Sequence, residues 1–292
     1  MKPTLALFLA LTFSLPLAAA KKPQTGTTTT ANTTWNGIAR QYSIYAPAAL
    51  GANPAMVVCL HATVDDGSGS NPPANWCPGK LTGAANRFGF LLVSPVSTWS
   101  NGRWFWESFA MDSLFADPPD DAGFLRSVIL AVSAEYNVSQ VFVYGVSSGG
   151  FEAHALGIAS GDLVSAIASA SGMLWADADS VPPAQYPVSV LQCEGATDKL
   201  VPPCGGFTTA WGPKTATAST DATLDYWLQA DGLALPATNV CTNGSLTPGF
   251  VSYAANGANG VQVEYVLELD EGHGCDPGFP EAAMVWLLGH GR

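Results

Sequence analysis

Short apolar runs alternate along the chain with stretches in which apolar residues recur every three or four positions. Several runs are apolar throughout, as in strands buried on both faces of a parallel sheet. The predicted strands are Met56–Leu60, Phe90–Val93, Val141–Tyr144, Ala166–Ala168, Val188–Leu191 and Val261–Leu269. The predicted helices are a segment from the N-cap Asp120-Asp121 to near Asn137, then Gly150–Ser160, Asp221–Ala230 and Pro280–Leu288. This alternation predicts an α/β fold, with a mostly parallel, doubly wound sheet flanked by helices.

The N-terminal pattern differs from the rest of the chain. Residues 1–20 contain Lys2, an apolar stretch and a run of alanines, the layout of a secretory signal peptide. Residues 21–34 are rich in threonine and poor in apolar side chains, which favours a tail or linker. Residues 35–292 show no composition break or repeat, so we expect a single domain. The mature protein is expected to be secreted, extracellular and free of membrane spans.

Charge and composition narrow the class of protein. The chain of 292 residues has a formal net charge of −12, with 48% hydrophobic and 12% charged residues. That hydrophobic content excludes a disordered chain, and the acidic balance excludes a nucleic-acid partner. We expect a globular protein, most simply a monomer, that does not bind strongly anionic ligands.

The six cysteines are expected to form three disulfides in an exported protein. Cys193–Cys204 and Cys241–Cys275 are the pairings that we predict. No cysteine pair has the CxxC spacing typical of zinc sites, so neither a metal nor a cofactor is expected. Three sites match the N-glycosylation pattern, at Asn32, Asn137 and Asn243.

The segment Gly145-Val146-Ser147-Ser148-Gly149 has the pattern G-x-S-x-G between a predicted strand and a predicted helix. A sharp strand-to-helix turn brings backbones close together, and the glycines on either side of the serine avoid the clash. Ser147 is therefore the candidate nucleophile. Ser148 is the positional rival but lacks the symmetric glycines.

A serine nucleophile needs a general base, which is usually histidine. His273 follows the last predicted strand in a glycine-rich loop and is the best candidate among four histidines. His154 is expected to pack on the helix after Ser147, His61 to be structural at a strand end, and His290 to be frayed near the C-terminus.

The third member should be an acid between the serine and the histidine in the chain. Asp198 follows the strand Val188–Leu191 and would fix the tautomer of the histidine. Glu194 competes but is too close to the end of the strand. Asp221 and Asp225 fall on a predicted helix, where a solvated position is the usual one.

An oxyanion formed during attack on a carbonyl would need hydrogen-bond donors. The backbone N–H of Ser148 is one candidate. The second is the N–H of Ala62 or Thr63 in the loop after His61, and Thr63 is favoured.

In these motifs and their order, the chain resembles the secreted esterases grouped with polyhydroxybutyrate depolymerases, feruloyl esterases and acetylxylan esterases. The matching segments are Arg40–Pro47, Leu60-His61, Asp120–Leu125, the Ser147 turn, Asp198 with Val201-Pro202, and Gly272-His273. The resemblance covers nearly all of the mature chain. It implies that residues 35–292 form an α/β-hydrolase catalytic domain that cleaves carboxylic esters through a Ser-His-Asp triad and an acyl-enzyme.

The chain departs from the family pattern near the expected site. Ala62 stands where the family usually has glycine, and Glu194 replaces a common histidine. Gly274–Pro277 replaces an aromatic-proline continuation. We therefore do not extend the family's detailed substrate preference to this chain.

The expected substrate is a neutral polymeric or small ester. Trp99, in the aromatic-rich segment Trp99–Trp106, is the candidate substrate-binding side chain. Feruloyl or acetyl esters of plant cell-wall polysaccharide are favoured, and an extracellular polyhydroxybutyrate or other polyester is the alternative. A secreted peptidase and a non-catalytic carbohydrate-binding protein remain as alternatives of other classes.

Overall fold

The structure is a computed structural model that describes residues 26–65, 67–70, 72–108, 118–175, 181–207, 216–234, 240–247, 252–257 and 260–292. Its first eight strands are β1 (Thr27–Trp35), β2 (Ile38–Ala46), β3 (Ala55–Leu60), β4 (Val64–Asp65), β5 (Leu91–Pro95), β6 (Thr98–Ser100), β7 (Arg103–Phe105) and β8 (Gln140–Val146). The others are β9 (Val164–Ala170), β10 (Ser189–Gly195), β11 (Gly206–Phe207), β12 (Ala216–Thr217), β13 (Cys241–Thr242), β14 (Ser245–Leu246), β15 (Ser252–Asn256) and β16 (Gln262–Glu268). The helices are α1 (Trp76–Phe88), α2 (Asp121–Tyr136), α3 (Ser148–Ala159), α4 (Thr220–Ala230) and α5 (Phe279–Gly289).

The main sheet has nine strands in the order β1-β2-β5-β3-β8-β9-β10-β16-β15. Its six central strands, from β5 to β16, pair in parallel, and antiparallel strands extend both edges. The carboxyl ends of β8, β10 and β16 therefore lie on the same edge of the sheet. In open α/β sheets this edge is where ligands bind.

Helices cover both faces of the sheet, as the apolar strands require. One core contains apolar residues of α2, α3 and α4, including Phe124, Leu156 and Trp227. The core on the opposite face contains residues of α1 and α5, including Leu81 and Met284. The predicted strands and helices are confirmed, and so is the doubly wound α/β architecture.

The Thr-rich segment was predicted to be a tail or linker, which is wrong for most of its length. Thr27–Trp35 forms β1 and pairs with β2 along the edge of the main sheet. Most of its side chains are exposed, which agrees with their low apolar content. An edge strand, however, is held by its backbone hydrogen bonds, and threonine has a high strand propensity.

The predicted disulfides Cys193–Cys204 and Cys241–Cys275 are wrong. The structure pairs Cys59 with Cys77, Cys193 with Cys275, and Cys204 with Cys241. The prediction failed because β10 and β16 are parallel neighbours, which brings Cys275, beyond the end of β16, back to β10. Three disulfides favour an oxidising compartment.

No helix in the described part of the chain is long and apolar enough to cross a membrane.

Candidate active site

Ser147 occupies the turn between the central strand β8 and helix α3. Its φ of 54° and ψ of −121° lie outside the regions that non-glycine residues usually adopt. Two backbone hydrogen bonds hold this conformation, from the N–H of Ser147 to the carbonyl of Ala170 (2.8 Å) and from the N–H of Gly150 to the carbonyl of Ser147 (2.8 Å). Such a strained residue at the end of a buried strand is the geometry of a nucleophile elbow.

The two glycines of the G-x-S-x-G pattern make the turn possible. A Cβ at Gly145 would overlap the carbonyl oxygen of Gly149, and a Cβ at Gly149 would overlap the carbonyl oxygen of Leu60. These are backbone contacts, so no side-chain movement could relieve them. Both glycines are thus required by close backbone approach, as the motif predicted.

Gly145→Ala is expected to lower the free energy of unfolding by about 3 kcal/mol or more, because the new methyl group can be accommodated only by moving the turn. Urea unfolding measures the change. Gly83→Ala is the matched control, since Gly83 lies in α1 with open space around it and should gain about 0.5–1 kcal/mol from the higher helix propensity of alanine. Equal effects of the two substitutions would contradict the packing argument.

Asp198 and His273 meet on the loops that follow β10 and β16. The Nδ1 of His273 lies 2.7 Å from Oδ2 of Asp198. The other carboxylate oxygen, Oδ1, accepts hydrogen bonds from the backbone N–H groups of Leu200 (2.8 Å) and Val201 (3.0 Å). The Asp198 side chain is completely buried and that of His273 is 23% exposed. An imidazole that donates from Nδ1 keeps Nε2 as the proton acceptor, which is the tautomer a general base needs.

Ser147 and His273 line the same cavity, which has a volume of about 740 Å³. This volume is in the range of small-molecule sites. Ala62 also lines it, together with Trp76 and Lys80 at the start of α1. The structure thus brings Ser147, His273 and Asp198 into one region, the first two on the cavity wall and Asp198 against the far side of the imidazole.

Ser148 is the first residue of α3, and Ser147 is its N-cap. The backbone N–H groups in the first turn of a helix have no partner within the helix, so the N–H of Ser148 remains a candidate donor to an oxyanion. Of the two candidates for the second donor, Ala62 lines the cavity and Thr63 does not. The hydroxyl of Thr63 is buried without a hydrogen-bond partner among the described residues.

His61 holds the loop that contains the two candidates for the second donor, Ala62 and Thr63. Its Nδ1 lies 2.7 Å from the carbonyl of Ala62, and its Nε2 accepts from the N–H of Ser97 at 3.1 Å. The indole N–H of Trp106 donates to the carbonyl of His61 at 3.0 Å. Burial lowers the pKa of His61 to about 4, so the ring is neutral. The predicted structural role of His61 is confirmed.

The remaining histidines lie away from the cavity. His154 is buried on α3 and accepts from the indole N–H of Trp227 at 2.9 Å, while its Nε2 donates to Gln192 at 2.9 Å. Burial lowers its pKa to about 4. His290 was predicted to be frayed, which is wrong, because it stacks on Trp286 with ring centroids 3.9 Å apart.

Glu194, the rival of Asp198, is buried inside β10. Its Oε1 accepts from the amide of Gln192 at 2.6 Å. Burial, and secondarily the charge of Asp198, raise the pKa of Glu194 well above its usual range. It is Asp198, and not Glu194, that contacts His273.

The other acids considered lie on α4. The carboxylate of Asp221 accepts the N–H groups of Val240 (2.7 Å) and Cys241 (2.8 Å), which gives it a structural role. Asp225 also lies on α4 and is exposed, as expected for an acid on a helix surface.

Glu152 is a second buried acid, on α3 beneath the elbow. Both of its carboxylate oxygens are buried without a hydrogen-bond partner among the described residues. Burial raises its pKa well above the usual range, and the nearby charges of Asp121 and Glu107 raise it further. Asp121 itself is ion-paired to the buried Arg40 at 2.6 Å.

Glu152→Gln is expected to stabilise the protein increasingly as the pH rises. Above the ordinary glutamate pKa of about 4.3, folded Glu152 keeps a proton that the unfolded chain has lost, so wild-type stability falls by about 1.4 kcal/mol per pH unit up to the raised pKa. Glutamine does not ionise, so the variant lacks this fall in stability with rising pH. Urea unfolding between pH 4 and pH 8 should show the two proteins diverging, with Glu135→Gln on the exposed face of α2 as the control. Parallel curves for wild type and Glu152→Gln would contradict the assignment.

Trp99, the predicted substrate-binding residue, lies in β6 of a separate three-stranded sheet with the order β4-β7-β6. It pairs across the strands with Trp104, and the residue is 39% exposed. A Cβ on Gly69 would lie 3.0 Å from its ring, so the indole rests on the backbone there. Trp99 does not line the cavity that contains Ser147.

Trp76 is an aromatic residue of the cavity that was not predicted from the sequence. It is the first residue of α1, and the ammonium of Lys80 lies 4.9 Å from its ring centroid. Helix α1 was not predicted because Pro78, Gly79 and Gly83 resemble helix breakers. Pro78 falls within the first turn, where its missing N–H costs no hydrogen bond.

One group of side chains has the composition of a metal site. The ligand atoms of Cys193, Glu268 and Cys275 lie within 4.8 Å of one another. The two sulfurs form a disulfide, so they supply no thiolates to a metal.

The parallel sheet, the serine on the turn after its central strand and the histidine–aspartate pair on later loops define the α/β-hydrolase fold. No protein-family model matches the chain, and no curated protein matches it in sequence.

Solved structures match the chain over most of its length. An acetyl xylan esterase from Aspergillus awamori matches with a TM-score of 0.61 and 17% identity, covering 89% of this chain and 99% of the other. A feruloyl esterase module from Clostridium thermocellum, complexed with sinapinate, gives a TM-score of 0.53 and 13% identity, with 93% and 90% covered. A thermostable esterase matches with a TM-score of 0.59 and 14% identity, and the match covers 91% of this chain and 63% of the other. At these identities the similarity establishes the α/β-hydrolase fold, as expected from the sequence resemblance.

Proposed function

We propose that the protein is a secreted serine esterase that hydrolyses carboxylic esters through Ser147, His273 and Asp198. One observation carries the proposal: the strained Ser147 shares a cavity with His273, whose Nδ1 is held 2.7 Å from buried Asp198. The structural neighbours that are esterases support it.

The reaction follows from the roles of these groups. Nε2 of His273 takes the proton of the Ser147 hydroxyl while Oγ attacks the ester carbonyl, and Asp198 stabilises the imidazolium. The tetrahedral oxyanion receives hydrogen bonds from the N–H of Ser148 and from a second donor at Ala62 or Thr63. The alcohol leaves with the proton from His273. Water then attacks the acyl-enzyme by the same sequence and releases the acid.

The proposed substrate is a neutral ester, most simply a feruloyl or acetyl ester of plant cell-wall polysaccharide. The chain has a net charge of −12, which disfavours a strongly anionic polymer. The indole of Trp76 on the cavity wall offers a face for a sugar or phenolic ring. The alternative, a polyhydroxybutyrate or other polyester, has the same neutral ester linkage. No cofactor or metal takes part in the proposed reaction.

A fluorophosphonate probe followed by mass spectrometry tests the nucleophile, and a stoichiometric adduct on Ser147 is expected. Release assays on feruloylated arabinoxylan, acetylated xylan and poly-3-hydroxybutyrate then identify the ester. A peptide panel run alongside distinguishes an esterase from a peptidase. Absence of the Ser147 adduct together with no turnover of any ester, including p-nitrophenyl acetate, or of any peptide would favour the non-catalytic carbohydrate-binding alternative.

A further inference from the structure

The loops that carry Asp198 and His273 are joined to each other just before the histidine. Gly195 has no side chain, and a Cβ there would overlap the carbonyl oxygen of Gly272. The carbonyl of Glu271 accepts from both the N–H (3.0 Å) and the hydroxyl (2.8 Å) of Thr197. The approach of the chain to His273 is therefore fixed to the acid loop by backbone contacts.

After His273 the chain is held by separate contacts, among them a hydrogen bond that the backbone N–H of Asp276 donates to the carboxylate of Glu268. Gly274 and Cys275 both have positive φ, of 105° and 61°, and lie in the connection between β16 and α5. The N–H of Gly274 donates to the hydroxyl of Ser171 at 2.8 Å. The next residue, Cys275, is bonded covalently to Cys193.

Cys193 is a rigid anchor for this bond. It is fully buried in β10, with Ala170 of β9 as its partner on one side and Val266 of β16 on the other. β10 is also the strand that leads into the Asp198 loop. The disulfide thus links the segment after His273 to β10, the strand that precedes Asp198.

We propose that the Cys193–Cys275 disulfide is a positioning element for catalysis, which holds the imidazole of His273 between Asp198 and Ser147. This inference rests on the proposed function. A misplacement of a catalytic group by about 1 Å can lower a rate about 100-fold, so a covalent tie two residues from the base has a large effect on the chemical step.

The test compares Cys193→Ala/Cys275→Ala with Cys204→Ala/Cys241→Ala. The second pair is a matched control because its ends, like those of the first pair, keep hydrogen-bonded neighbours, but neither of its cysteines adjoins His273. Thr220 donates to the carbonyl of Pro203, at 2.8 Å from its N–H and 2.9 Å from its hydroxyl. The N–H of Cys241 donates to Asp221 at 2.8 Å.

Both variants are assayed with p-nitrophenyl acetate at a temperature at which circular dichroism shows them folded. Active sites are titrated with a fluorophosphonate, so that kcat refers to competent molecules only. For Cys193→Ala/Cys275→Ala we expect full labelling at a rate about 100-fold lower, with kcat reduced by a similar factor and KM within about twofold. The control should keep the wild-type kcat per labelled site.

A merely structural disulfide gives the opposite pattern, with fewer labelled sites and an unchanged kcat per site, and this would overturn the proposal. An equal loss of kcat in the control variant would overturn it as well. Either result leaves the esterase assignment standing if the wild type is labelled at Ser147. Failure of the wild type to react would instead refute the proposed function.

Discussion

Ser147→Ala is expected to reduce kcat for p-nitrophenyl acetate by about 10⁶-fold and to abolish the fluorophosphonate adduct. Without Oγ no acyl-enzyme can form, and His273 has no hydroxyl proton to accept. Any residual rate would come from the oxyanion donors and substrate binding alone. Alanine tolerates the φ of 54° at this position as well as serine does, so the turn should persist.

The measurement needs controls for folding and for the choice of serine. Ser160→Ala removes a buried hydroxyl at the other end of α3 and should keep the wild-type kcat. Ser148→Ala retains the backbone N–H proposed for the oxyanion and should lose less than about tenfold in kcat. If Ser148→Ala were inactive and Ser147→Ala active, the nucleophile would be assigned to the wrong serine.

The central part of the fold and the candidate triad were predictable because their signals are local. The strands β3, β8, β9 and β10 are buried on both faces, so nearly every position is apolar or small. The G-x-S-x-G pattern records backbone contacts that only glycine permits. His273 and Asp198 were chosen by position after predicted strands, and the parallel sheet places those strand ends together.

The disulfides were not predictable because they depend on strand order. Cys193 and Cys275 are 82 residues apart in the chain and meet because β10 and β16 are neighbours. The predicted partner of Cys193, Cys204, lies much closer in the chain, but beyond the Asp198 loop, where it meets Cys241 instead.

Trp99 and Trp76 show why exposure cannot be inferred from aromatic density. The segment Trp99–Trp106 contains both the exposed Trp99 and the completely buried Trp106. Trp76 lines the cavity because α1 begins beside Ser147 and His273. That helix was not predicted because its proline and glycines are residues that usually interrupt helices.

Asp198→Asn is expected to lower kcat about 10⁴-fold with little change in fold. The hydrogen bonds dictate how the asparagine must sit. Oδ1 accepts two backbone N–H groups, from Leu200 and Val201, so the amide oxygen has to take that position. The NH₂ group then faces Nδ1 of His273, which must become an acceptor. The proton moves to Nε2, and the ring can no longer accept the proton of Ser147.

Asp221→Asn is the matched control for Asp198→Asn, because its carboxylate also accepts two backbone N–H groups but lies on α4 and contacts no histidine among the described residues. It should lower the melting temperature without changing kcat per labelled site. For Asp198→Asn, fluorophosphonate labelling should slow by the same factor as kcat while the final stoichiometry stays at one per chain, since the nucleophile is intact and only its activation is lost. A variant that keeps more than about a tenth of the wild-type kcat would show that the histidine tautomer is set by another group, and Asp198 would then serve only to anchor its loop.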